Sequence, residues 1–202
     1  MKKAVIFVLA SLFILLAGCT APGAGDSPGT DIPPPDPPAS ENPPTSDLPE
    51  EIEIVYDIEG TQETMTLQKY TGENFSIYID ESNFTTVEST REVKFILTDQ
   101  STYPEVSIAI GYEQSASIQE WRDALSSGDS YTYEGERELG ENVALWFHAK
   151  PEANTQHSGP TQDIYLIDGE DGFFAITVTC DLEASEGWGA RMFAMIGTFT
   201  PA

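Results

Sequence analysis

The stretch QDIYLIDGEDGFFAITVTCD, residues 162–181, decides the fold. Two apolar runs flank DGEDG, and clustered Gly and Asp are turn formers because they tolerate backbone conformations that other residues avoid. The pattern predicts two antiparallel strands joined as a hairpin. In the second run Phe174, Ile176, Val178 and Cys180 alternate, so they share one face. Cys180 is then a core residue, packed as a small hydrophobe. A nucleophilic thiol needs an electropositive, accessible setting, and the neighbouring Asp181 argues the other way.

Working outward, ENVALWFHAK (141–150) is apolar on both faces, which predicts a central strand. Period-two alternation recurs upstream. It places Ile52, Ile54, Tyr56 and Ile58 on one face, then Phe75, Ile77 and Ile79, then Val93, Phe95 and Leu97, then Val106, Ile108, Ile110 and Tyr112. Two segments read as helices. SIQEWRDALSS (117–127) opens with Ser117 and carries Glu120 three residues later, a capping box, with Ile118, Trp121 and Leu125 on one stripe. SEGWGARMFAMIGTF (185–199) sets Trp188, Met192, Met195, Ile196 and Phe199 near helical spacing, with Gly187 and Gly189 weakening its first turn. The Met-rich stripe reads as core packing. Strands, helix, strands, helix give an α+β domain with a mostly antiparallel β-sheet flanked by helices.

ENFSIYID, PEVSIAIGY, SIQEWRDAL, ENVALWFHA and DIYLIDGEDGFFAITVTC, followed by a helix ending MFAMIGTF, together resemble the PsbP-like fold over about residues 70–200. The resemblance lies in element order and apolar pattern. It implies an α/β/α sandwich and an accessory or binding role without enzymatic chemistry. It carries no functional residue over, since none of these motifs is a site motif. The strand at 52–58 and the segment TQETMTLQ (61–68) would then be an N-terminal extension, a hairpin added to the sheet edge.

The chain's start is organised differently. Lys2 and Lys3 precede an uncharged apolar run from Ala4 to Leu16, and small residues Ala17 and Gly18 precede Cys19. This is the layout of a secretory signal peptide, residues 1–18, too short to span a bilayer, which takes about 20 apolar residues. Leu16, Ala17, Gly18 and Cys19 resemble the bacterial lipobox. The resemblance implies cleavage before Cys19, a thioether-linked diacylglycerol on its sulfur and an acylated new N-terminus, which makes a stable membrane anchor. Residues 19–50 follow as a tether. Ten of the chain's 14 prolines fall there with almost nothing apolar, so the segment is expected to stay disordered and extended. At ~3.1 Å per residue it reaches on the order of 90 Å. Residues 51–202 form one domain, long enough to bury a core without disulfides.

Charge narrows the partners. Nine Lys plus Arg stand against 34 Asp plus Glu, a formal net charge of −25, which opposes nucleic acid and anionic lipid surfaces. Chemistry-bearing clusters are scarce. The two histidines, His148 and His157, stand apart, and no G-x-S-x-G elbow accompanies Ser158. No His or Cys cluster has zinc spacing. DGEDG (168–172) offers Asp168 and Asp171 to a hard cation but breaks the calcium-loop pattern after Gly172, and is read as a turn. Tyr131 and Tyr133 either line a groove or cap a half-buried strand. No metal or cofactor is expected. The reading is a lipid-anchored bacterial lipoprotein on the extracytoplasmic face of the cell membrane, with a non-enzymatic binding or accessory domain and an envelope protein as possible partner. Its interaction surface is expected on acidic loops at 126–140 and 151–162. The alternative is a hydrolase acting on cell-envelope polysaccharide.

Overall fold

The computed structural model describes residues 48–103, 105–150 and 160–202, which lie in the compact unit Ser46–Ala202. The expected signal peptide, Cys19 and the expected tether up to residue 47 lie outside the described residues, as do His157 and most of the loop expected at 151–162.

Among the described residues, eleven strands build two antiparallel sheets. The larger has seven strands: β4 (Phe84–Glu88), β5 (Glu92–Leu97), β6 (Ser107–Gln114), β10 (Gly172–Cys180), β9 (Thr161–Gly169), β8 (Asn142–Ala149) and β7 (Tyr131–Leu139), in that spatial order. The decisive stretch is the hairpin β9–β10, in register from Gly169↔Gly172 to Thr161↔Cys180. Its glycines serve close approach. Neither Glu170 nor Asp171 has positive φ, but a Cβ on Gly172 would overlap the Glu113 carbonyl of β6. β8 is an interior strand, as its two apolar faces predict.

The smaller sheet runs β1 (Glu51–Ile58), β2 (Thr61–Thr71), β3 (Phe75–Ile79) and β11 (Thr200–Pro201). This corrects two expectations. The β1–β2 hairpin does not extend the main sheet; it pairs with β3 in a second sheet, and its Leu67 is fully buried in the common core. The flanking layer is therefore mostly strand, more β-rich than an α/β/α sandwich. Helix supplies only α2 (Ala190–Ile196) beside the small sheet and α1 (Ile118–Ser127) on the other face of the large one. The apolar alternation of β1 and β2 commits enough side chains to one face to make a layer of their own.

The main core lies between the sheets. Ile77, Phe95, Ile108, Ile176 and Met195 are all fully buried there. Each such side chain contributes roughly 1.5–3 kcal/mol relative to exposure. Cys180 is buried with Phe174, Ile176 and Val178, as their alternation requires. α2 is docked through Met192, Met195 and Ile196 and enters through a π-helical turn, Ser185–Gly189, where Gly187 and Gly189 loosen the backbone. Ser117 caps α1, its side chain accepting from the Glu120 N–H. No residue of α1 is fully buried, although Ile118 and Leu125 pack on Phe147, Ile164, Leu166 and Phe173.

The segment 126–140 is not a loop. Most of it is β7, an edge strand with a bulge between Tyr133 and Gly135. Tyr131 and Tyr133 lie on the α1 side, Tyr133 against Phe147 at 5.2 Å. Past the bulge the phase changes, and Gly135, Arg137 and Leu139 pair with Trp146, Ala144 and Asn142.

Candidate functional site

A cleft of about 300 Å³ opens where β7, β9 and β10 meet the π-helical turn and α2. Its floor is the large sheet: Arg137 from β7, Thr161, Asp163 and Tyr165 from β9, and Val178 and Cys180 from β10. Its wall is Ser185, Gly189, Ala190, Phe193 and Ile196. Alternation alone puts Thr161, Asp163 and Tyr165 on one face of β9. Register aligns them with Cys180, Val178 and Ile176 on β10.

Arg137 is held by rings. Its guanidinium carbon lies 4.7 Å from the Trp146 ring centroid and 4.0 Å from that of Phe193. Contacts of this kind hold the cation against aromatic rings, where its N–H groups can still donate. Tyr165 lines the same cleft. No carboxylate stands within ion-pair distance of Arg137 among the described residues.

Asp163 accepts two hydrogen bonds on the same oxygen. The Trp146 indole N–H donates to Oδ1 at 2.7 Å, and His148 Nδ1 stands 2.9 Å from that atom. Oδ2 has no hydrogen-bond partner among the described residues. Trp146 thus orients both charges of the cleft, stacking on Arg137 and donating to Asp163. Tyr165 lies between them in influence. Burial and then Asp163 push its hydroxyl up to about 12, against the opposing pull of Arg137. Burial, then Asp181 and Asp163, raise the Cys180 thiol to about 11, so it is protonated at neutral pH.

Another hollow, of about 370 Å³, lies beside Asn83, Asp99, Tyr103 and Trp188. Its polar groups serve the local turns. Asn83 donates to Asp80 Oδ2 at 2.7 Å, and Asp99 Oδ1 accepts from the Ser101 N–H at 3.0 Å.

Of the residues singled out in the sequence, the structure brings Cys180 to the cleft and hydrogen-bonds His148 to Asp163 at its margin. Asp168 and Asp171 sit in and beside the β9–β10 turn, and no group of three or more His, Cys, Asp or Glu suited to a metal occurs among the described residues. Arg137, Asp163, Tyr165, Trp146 and Phe193 were missed. Asp163 carried a signal: a carboxylate sharing an inward face with Tyr165 and Ile167. Arg137 carried a weaker one, a cation in a chain with nine Lys plus Arg.

No family model matches the chain, and no curated protein does. Thirteen solved chains are similar in structure. A protein from Bacteroides thetaiotaomicron is 14% identical with a TM-score of 0.45 over 63% of this chain and 45% of its own, so the chain spans under half of that protein's length. Cyanobacterial PsbP (CyanoP) from Synechocystis is 7% identical with a TM-score of 0.48, over 67% of this chain and 92% of its own.

Proposed function

We propose that this chain is a lipid-anchored bacterial lipoprotein that holds a PsbP-like, non-enzymatic binding domain at the extracytoplasmic face of the membrane. The N-terminal sequence supports the anchor through Cys19. No described helix is long and apolar enough to cross a membrane. The PsbP-like reading rests on the quoted segments and their order.

The observation that carries the binding reading is the cleft. It sets a ring-held guanidinium, Arg137, in the same cleft as a carboxylate oxygen of Asp163 that has no hydrogen-bond partner among the described residues, between apolar walls. Small-molecule sites have this composition: mostly apolar lining with few convergent polar groups. The cleft's potential nucleophile, Cys180, is held as a thiol. One observation favours the hydrolase reading, the His148–Asp163 pair, since a carboxylate orienting an imidazole is part of general-base machinery.

Melting the full chain against a panel of small envelope metabolites separates the two readings. Binding predicts a stabilising compound whose effect is lost in Asp163→Ala, without turnover. Turnover of envelope polysaccharide that is abolished by His148→Ala would overturn it. Replacing Cys19 by Ser is expected to abolish palmitate labelling and membrane fractionation; unchanged labelling would refute the anchor.

A further inference from the structure

We propose that the cleft is a receptor for a small zwitterion, an α-amino acid with an apolar side chain, whose carboxylate meets Arg137 and whose ammonium meets Asp163. This rests on the binding reading above and names its ligand class.

Three observations converge. The first is charge of both signs in one cleft, with neither charge cancelled by the other: Arg137 and Asp163 both line it and form no ion pair. The second is directionality. Contact with the rings of Trp146 and Phe193 holds the guanidinium in the cleft, and a guanidinium so held grips a carboxylate by paired N–H donors. Asp163 Oδ1 is fully engaged by Trp146 and His148, which orients the carboxylate and leaves Oδ2 for a donor. The third is the remaining lining. Val178, Phe193 and Ile196 give an apolar body to a cleft of about 300 Å³. A simple anion would leave Asp163 facing it, and a simple cation would face Arg137. A molecule carrying both charges and an apolar side chain satisfies all three.

The test is calorimetric titration of the full chain in detergent with L-leucine, N-acetyl-L-leucine and L-leucinamide. L-Leucine is expected to bind. Removing its positive charge in the first derivative, or its negative charge in the second, is expected to weaken binding about tenfold or more, the loss of one charged hydrogen bond. Arg137→Met keeps the apolar stem, and Asp163→Asn keeps an acceptor for Trp146. Each is expected to lower leucine affinity by a similar factor while the thermal melt shows the domain folded. Should Arg137→Met fail to fold, Arg137→Lys provides the same readout, since a lysine keeps the charge and loses the fork. Absence of leucine binding, equal binding of either derivative, or leucine affinity unchanged in both variants would overturn the zwitterion assignment. None of these touches the broader binding reading, which falls on His148-dependent turnover.

Discussion

Two arginines meet α2, and they are treated in opposite ways. Arg191 belongs to the helix and reaches the small sheet. Its Nε donates to the Tyr56 hydroxyl at 2.8 Å, and Nη2 lies 3.2 Å from Glu63 Oε2, which also accepts from Tyr56 at 2.8 Å. Trp188 stacks at 5.0 Å. Arg137 belongs to the large sheet and reaches the same helix from the other side, through Phe193. It too has a tryptophan against it, Trp146, and Tyr165 lines the same cleft. What it lacks, among the described residues, is a carboxylate partner. The nearby acid, Asp163, spends Oδ1 on Trp146 and His148. One arginine is a closed brace between layers. The other keeps its charge available in a cleft, in a chain with few cations to spare.

The largest effect that would break this contrast is loss of the shared helix. Ending the chain before Gly187 removes Met192, Met195, Ile196 and Phe199, all buried. At roughly 1.5–3 kcal/mol each, they amount to something on the order of a whole domain's stability. The cooperative melt should disappear. A truncated chain melting at a similar temperature would mean that α2 is detachable and that neither arginine is positioned by it.

Alkali comes next and acts on the cleft side. Cys180 is raised from 9.0 to about 11 and Tyr165 from 10.0 to about 12. The folded state keeps protons that the unfolded chain has released, so this stabilisation is complete below about pH 9 and is lost as pH rises toward 12. Tyr70, raised to about 12 by burial and then by its bond to Glu88, falls in the same window. Denaturant midpoints followed from pH 8 upward should decline from about pH 9, and Cys180→Ala should delay the onset.

A smaller effect sharpens the contrast directly. Arg191→Met should lower the melting midpoint by a few degrees, because it removes a partly exposed ion pair and the bond to Tyr56. Its size should depend on acid. Tyr56, and then Arg191, hold the Glu63 carboxyl below its ordinary 4.5. The contribution is present above that value and is lost as pH falls through the lowered one, where parent and variant should converge. Arg137→Met should give the smallest change in midpoint, since the stem still packs on Trp146 and Phe193. Equal losses for the two variants, measured in one melting series, would erase the distinction between brace and receptor.

The elements that made this fold legible are those with unbroken periodicity. β10 alternates through Phe174, Ile176, Val178 and Cys180, β9 is an apolar run closed by a Gly- and Asp-rich turn, and β8 is apolar on both faces, so hairpin and interior strand follow from the residues alone. β4 was missed because FTTVE buries only Phe84 and lies at an edge, where no second face imposes a pattern. β7 reads as an acidic loop in the sequence because its bulge changes phase midway. Tyr131 and Tyr133 face α1, whereas Arg137 and Leu139 face the main core, and no single alternation spans both. That phase change also hides the candidate site, since it brings Arg137 into the cleft that Asp163 and Tyr165 line. The second sheet escaped notice because alternation shows which face a strand buries and not which partner it pairs with.

The central claim, that Arg137 is an open receptor and Arg191 a closed brace, is tested most directly by the two arginine Nε–H resonances of the full chain, followed through a titration with L-leucine. The Arg137 resonance is expected to shift in a saturable way while that of Arg191, already bonded to Tyr56, stays in place. A titration that leaves Arg137 unmoved, or that moves Arg191 instead, would contradict the account.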